Sequence, residues 1–108
     1  MEFIRYITAS GKDVFGQWLD SLNDPRAVAK IVVRIDRLAA SNFGDCKPLR
    51  DGVWELRVDW GPGYRVYYAI TGNSRLLLLC GGDKRKQAAD IKRAVNYWKV
   101  YQQRMGKT

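Results

Sequence analysis

Arg57 and Arg65 are the residues of this chain whose type and spacing most suggest chemistry. Gly61-Pro62-Gly63 lies between them, so two short strands joined at that turn would carry both guanidiniums side by side on one face. Paired guanidiniums can grip a phosphate through parallel N–H donors and stabilise negative charge that develops at phosphorus. Glu55 and Asp59 alternate with Arg57 along the same strand. The four residues therefore also suit a plainer arrangement, a cross-strand ladder of salt bridges on a solvated sheet surface. Lys84 follows the last apolar run and opens a basic segment, and Lys47 lies just ahead of the first of these strands, within reach of the same face. The chain has no histidine. A Ser-His-Asp triad, a histidine general base and a His-rich metal site are thereby excluded. Cys46 and Cys80 do not make a zinc site between them.

The run from Asp51 to Lys84 has to hold these groups, and it reads as three consecutive strands. Trp54, Leu56, Val58 and Trp60 fall on one side of the first, with Glu55, Arg57 and Asp59 on the other. In the second, Val66, Tyr68 and Ile70 share a side and leave Arg65 and Tyr67 opposite. Leu76 to Cys80 is apolar throughout, the pattern of an interior strand covered on both faces. Gly61-Pro62-Gly63 and Gly72-Asn73 mark the turns. Gly81-Gly82 lacks the spacing of a phosphate loop and reads as a tight exit from strand to helix. One face is thus expected to be greasy, and the other to present two arginines among carboxylates and a tyrosine.

The flanking segments supply cover. Glu2–Thr8 is β-rich and predicts a strand. A helix is predicted from Ser10 or Gly11, with Val14, Phe15, Trp18, Leu19 and Leu22 at helical spacing. Asp24 is placed to cap a second helix and Pro25 suits its first position. That helix carries Val28, Ile31, Val32, Ile35, Leu38 and Ala39 on one stripe, with Lys30, Arg34 and Arg37 off it, in water. Ser41–Asp51 reads as a loop. Asp83 is placed to cap a final helix running to about Arg104, with Ala88, Ile91, Val95 and Trp98 inward and Tyr97 and Tyr101 suited to packing. Arg85, Lys86, Lys92, Arg93 and Lys99 form its charged side. The order β-α-α-β-β-β-α is an α+β fold: a small, mainly antiparallel sheet with an N-terminal αα-hairpin on its greasy face and a C-terminal helix.

At 108 residues and 46% hydrophobic content, residues 1–108 form a single domain able to bury a core without disulfides. Nineteen Lys+Arg against eleven Asp+Glu leave a formal net charge of +8. Such a surplus on a small domain favours a polyanionic partner, nucleic acid ahead of a membrane surface. Cys80 ends an apolar strand and reads as a buried small hydrophobe. With no signal peptide and no long apolar span, a reduced cytoplasmic chain is expected.

The segments W-E-L-R-V-D-W-G-P-G-Y-R-V-Y-Y and L-L-L-L-C-G-G-D-K-R-K-Q-A-A-D-I, with F-x-x-W-L-x-x-L before them, resemble the RelE/ParE superfamily of toxins from toxin–antitoxin modules. They are most similar to the HigB-like branch of phage-derived addiction-module killer proteins. The resemblance covers nearly the whole chain. It implies a toxin neutralised by a cognate antitoxin, a small helix-turn-helix protein, and either of two activities. One is ribosome-dependent cleavage of mRNA, needing neither metal nor other cofactor. The other is ParE-like inhibition of DNA gyrase without chemistry.

Ribonuclease members keep a basic residue on this strand and the arginine of the G-Y-R segment for catalysis, positions matched by Arg57 and Arg65. Lys84 matches their basic residue after the last strand. The implied reaction is attack of the RNA's own 2′-hydroxyl on phosphorus. Glu55 or Asp90 could take its proton and Lys84 could supply one to the leaving oxygen. Lys47, Arg85, Lys86, Lys92 and Arg93 are the expected RNA contacts. The pattern departs from the best-studied member at Glu55, where that protein has lysine, and at Asp90, where it has tyrosine. Convergence of Arg57, Arg65 and Lys84 favours the ribonuclease, because a gyrase binder has no need of it.

Overall fold

Alternating apolar residues around two turns build the centre of the molecule, described for residues 1–106 by a computed structural model. Strands β3 (Trp54–Val58), β4 (Tyr64–Ile70) and β5 (Leu76–Asp83) form an antiparallel meander. β1 (Phe3–Arg5) adds to β5 in parallel, and β2 (Cys46–Pro48) adds antiparallel to β3. The sheet order is β1-β5-β4-β3-β2, so the apolar β5 is interior, as its composition requires. Helices α1 (Val14–Ser21) and α2 (Pro25–Ala39) follow β1, and α3 (Gln87–Met105) follows β5 after a single 3₁₀ turn at Lys84–Lys86. The fold is α+β.

The hairpin of α1 and α2 covers one sheet face, where Phe15, Ile31, Ile35 and Leu38 pack on Leu56, Val66, Tyr68 and Leu78. Each such aliphatic side chain withdrawn from water contributes about 1.5–3 kcal/mol. Trp18 crosses the end of this core, 5.7 Å from the Phe15 ring and 6.2 Å from Tyr64. It lies directly on Gly81, and a β-carbon there would collide with the indole. Gly81 and Gly82 are therefore strand residues that admit close neighbours, and the expected exit turn lies beyond them. Asp83 does cap that turn, accepting from Arg85 N at 2.9 Å.

The opposite face was expected to be open and polar. It is a second core. Tyr67, Ala69, Leu77, Leu79 and Cys80 are buried beneath Ala94, Val95 and Trp98 of α3. A bulge between Tyr67 and Tyr68 lets Leu79 and Cys80 turn to the same side. The inward face of α3 carries the predicted Val95 and Trp98, with Ile91 partly buried beside them, and is widened by Asp90 and Ala94, whereas Ala88 is exposed. Tyr97 stacks on Tyr6 at 4.8 Å and Tyr101 on Trp98 at 5.9 Å.

Other boundaries move for local reasons. Helix α1 starts at Val14 because Gly11 takes a left-handed φ of 86° inside a Thr8–Lys12 turn, and Asp13 then caps Gly16 N at 3.0 Å. The predicted loop at Ser41–Asp51 contains β2, joined to β3 by Asp51-Gly52 with φ values of 54° and 86°. Asp24 and Pro25 start α2 as predicted. On that helix Ala27 replaces Val32 in the core, and Val32 is exposed. Nor is its basic face simply in water: Lys30 stands 4.7 Å over the Trp60 ring, and Arg34 Nη1 donates to Arg57 O at 3.1 Å.

Candidate functional site

The Gly61-Pro62-Gly63 turn brings the two arginines together. Gly61 and Gly63 adopt φ values of 55° and 80°, and Gly63 N closes the turn on Trp60 O at 3.0 Å. This geometry pairs Arg57 with Arg65 in register across β3 and β4. β5 then delivers Lys84 to the same end of the sheet. A cleft of about 380 Å³ results, lined by Asp45, Arg57, Asp59, Gly61, Pro62, Gly63, Arg65 and Lys84. Three of the predicted site residues therefore converge.

The arginines are held differently. Arg57, 41% exposed at its side chain, donates through Nε and Nη2 to Asp45 Oδ1 at 3.1 and 3.0 Å. Arg65 is 11% exposed and its Nε lies 3.7 Å from Oε1 of Glu55, a carboxylate with no solvent exposure. The other oxygen of Glu55 accepts from Gln87 Nε2 at 2.8 Å. Glu55 thus lies beneath the cleft, where the sequence suggested a solvated face. The cause is α3, whose first turn closes over this end of β3.

Asp90 is also buried, with Oδ1 3.2 Å from Arg93 Nη2. Burial raises its pKa above the usual carboxylate value, against the opposing charges of Arg93 and Lys86. Its Oδ2 packs against Gly82, a position where a β-carbon would collide with it. Tyr67 lies in the same layer. Burial first, then the Glu55 and Asp90 charges, raise the pKa of its phenol and keep it protonated. Burial pushes the Cys80 thiol up to about 12, consistent with the inert buried residue expected there.

The expected RNA-binding residues remain outside the cleft lining. Lys47 is exposed on β2, directly across from Glu55. Lys86 and Lys92 are exposed. Arg85 folds back on Asp83 at 2.9 Å, and its hydrogen bonds hold that carboxyl below its usual range. Arg93 is drawn to Asp90. A second groove, about 350 Å³, runs along α2 and shares Asp59 with the cleft. Lys30, Val33, Arg34, Arg37 and Val58 line it with Ala29. Among the described residues no helix is long and apolar enough to cross a membrane.

Three participants were missed in the sequence: Asp45, Gln87 and the cleft position of Asp59. The Asp51-Gly52 pair carried the signal for Asp45, since a two-residue hairpin turn there sets Cys46 against Leu56 and Asp45 beside Arg57. Gln87 gave no comparable signal.

The family described as phage-derived protein Gp49-like matches residues 17–99, which include Arg57, Arg65 and Lys84. An uncharacterized protein of Haemophilus influenzae is 52% identical over 80 residues, covering 74% of this chain and 81% of that relative.

Proposed function

The chain belongs to the phage-derived Gp49-like family, and we propose that it is the toxin of a type II toxin–antitoxin module. In this reading it is a ribosome-dependent mRNA endonuclease of RelE/ParE type, HigB-like branch, held inactive by a cognate antitoxin. The observation that carries the reading is the convergence of Arg57, Arg65 and Lys84 on one cleft. Three cations at one end of a sheet suit a phosphodiester, whose reacting phosphorus gains charge on its non-bridging oxygens.

The 2′-hydroxyl of the RNA attacks the adjacent phosphorus. Its proton passes to a carboxylate and the bond to the 5′-oxygen breaks, leaving a 2′,3′-cyclic phosphate and a 5′-hydroxyl. Arg65 and Arg57 stabilise the charge at phosphorus, and Lys84 gives the leaving 5′-oxygen the proton that makes it a hydroxyl. Asp59, exposed at the cleft lining, is better suited to accept the proton than buried Glu55 and Asp90. No strongly activated nucleophile or base is needed if the ribosome holds the mRNA in line, because positioning alone can supply about 7 kcal/mol or more. The exposed cations Lys47, Lys86, Lys92 and Lys99 and the half-engaged Arg85 and Arg93 are available for ribosomal RNA. These partners imply a cytoplasmic site of action.

Primer extension on cellular mRNA after brief induction tests this. Codon-phased cuts are expected. Intact mRNA accompanied by SOS induction would identify a gyrase inhibitor and overturn the reading.

A further inference from the structure

We propose that Glu55 and Gln87 are positioning residues, which together fix the Arg65 guanidinium so that its terminal nitrogens face the cleft. This inference rests on the reading of the cleft as a phosphate site. Arg65 enters the cleft from a nearly buried stem, its Nε within 3.7 Å of Glu55 Oε1 and its Nη1 beside Gly63. Gln87, on the first turn of α3, donates to Glu55 Oε2 at 2.8 Å and so fixes the carboxylate plane.

The arrangement is a costly way to build a core. Glu55 Oε1, Arg65 Nε, Tyr67 Oη and Asp90 Oδ2 are all buried without a hydrogen-bond partner, and the 3.7 Å ion pair between the first two offsets only part of the hydration they lose. Well-packed apolar residues commonly replace a buried ion pair at no loss of stability. A buried carboxylate here is explained by what it does to its neighbour. Arg57 and Arg65 are like charges in register, and without an interior counter-charge Arg65 would be driven away from Arg57 and out of the cleft. Asp45 serves Arg57 at the surface, and Glu55 serves Arg65 from below. Tyr67 stays protonated and adds no further negative charge to this layer.

The test uses the full chain, with Gln87→Ala as the mild variant and Glu55→Gln as the severe one. The direct readout is hydrogen exchange of the Arg65 Nε–H, followed by nitrogen-resolved NMR. Wild type should show a protected Nε–H. Gln87→Ala should accelerate its exchange by about tenfold, because the Glu55 carboxylate loses the charge-assisted hydrogen bond that holds it against Arg65, with backbone amide shifts away from the site unchanged. Cleavage should fall by up to about 100-fold through misplacement of the guanidinium. In an Arg65→Ala background Gln87→Ala should cost nothing more. An unchanged Nε–H exchange rate, or a Gln87→Ala effect that persists without Arg65, would overturn the positioning role. If Arg65→Ala itself leaves cleavage intact, the phosphate-site reading fails, whereas the exchange measurement still decides whether Glu55 and Gln87 hold the side chain.

Discussion

Arg57 and Arg65 face each other in register across β3 and β4, yet their carboxylate partners lie in different environments. Asp45 meets Arg57 at the exposed edge, whereas Glu55 meets Arg65 in the interior. Two like charges directly opposite would repel one another and open this end of the sheet. Separate counter-ions remove that penalty while leaving Arg57, Arg65 and Lys84 on the wall of one cleft.

Arg65→Ala is expected to abolish growth arrest. Because it leaves the buried Glu55 carboxylate without its counter-charge, it should also cost about 3–5 kcal/mol of stability, so the variant is assayed alongside circular dichroism. Loss of one such donor costs about 10²–10³ in rate. Arg57→Ala should act in the same direction, and its exposed pair with Asp45 should contribute no more than about 1 kcal/mol to stability. The double variant should be less than additive if both groups hold one phosphate. Unchanged growth arrest by a variant with native circular dichroism would remove Arg65 from the site.

Gly81 and Trp18 form a second testable pair. Gly81→Ala puts a methyl group against the indole and should destabilise by about 1–3 kcal/mol. Trp18→Ala should cost about 3 kcal/mol through lost packing. With Trp18 removed the added methyl has space, so the double variant should be scarcely less stable than Trp18→Ala alone. Additive losses in denaturant titrations would show that the two do not share this space.

Much of the fold was legible because alternation and capping are local signals. Trp54, Leu56 and Val66 declared one face, and Asp24-Pro25 declared the start of α2. Glu55 and Tyr67 were misleading for a physical reason: their polarity described a surface, but α3 lies across it, and sequence spacing does not reveal which helix covers which face. The placement of α3 depends on Ala94 and on the bare backbone at Gly82, where Asp90 approaches. Convergence of Arg57, Arg65 and Lys84 followed from one turn and one strand end. Gln87 was invisible because its role exists only once α3 is docked.

Asp90 gives a pH signature with an unusual sign. Burial raises its folded-state pKa above the ordinary value of 3.8, so between those two values the folded chain keeps a proton that the unfolded chain has lost. Its contribution to stability therefore falls as pH rises through that window and levels off above it. Asp90→Asn should remove this slope, and its melting temperature relative to wild type should climb from pH 4 upward. A constant difference between the two proteins across that range would show that Asp90 is not raised.

The basic surface should add affinity without choosing the cut. Replacing Lys86, Lys92 and Lys99 with Gln should weaken ribosome binding and flatten its dependence on salt, by roughly 0.7–0.9 log units per lost phosphate contact. Cleavage positions should stay where they are, because the reacting phosphate is read at the cleft. Equal salt slopes for wild type and triple variant would mean that these lysines only solvate α3.

The most direct measurement uses purified protein, ribosomes and a short defined mRNA, with the products' ends analysed after a single incubation. Cleavage is expected only when ribosomes are present, with a 2′,3′-cyclic phosphate at the new end. A 2′-O-methyl group at the cut nucleotide should block it, and Arg65→Ala should reduce it by about 10²–10³. Cleavage that ignores the 2′-O-methyl group, or that Arg65→Ala leaves at the wild-type rate, would contradict a 2′-hydroxyl attack stabilised in the Arg57–Arg65–Lys84 cleft.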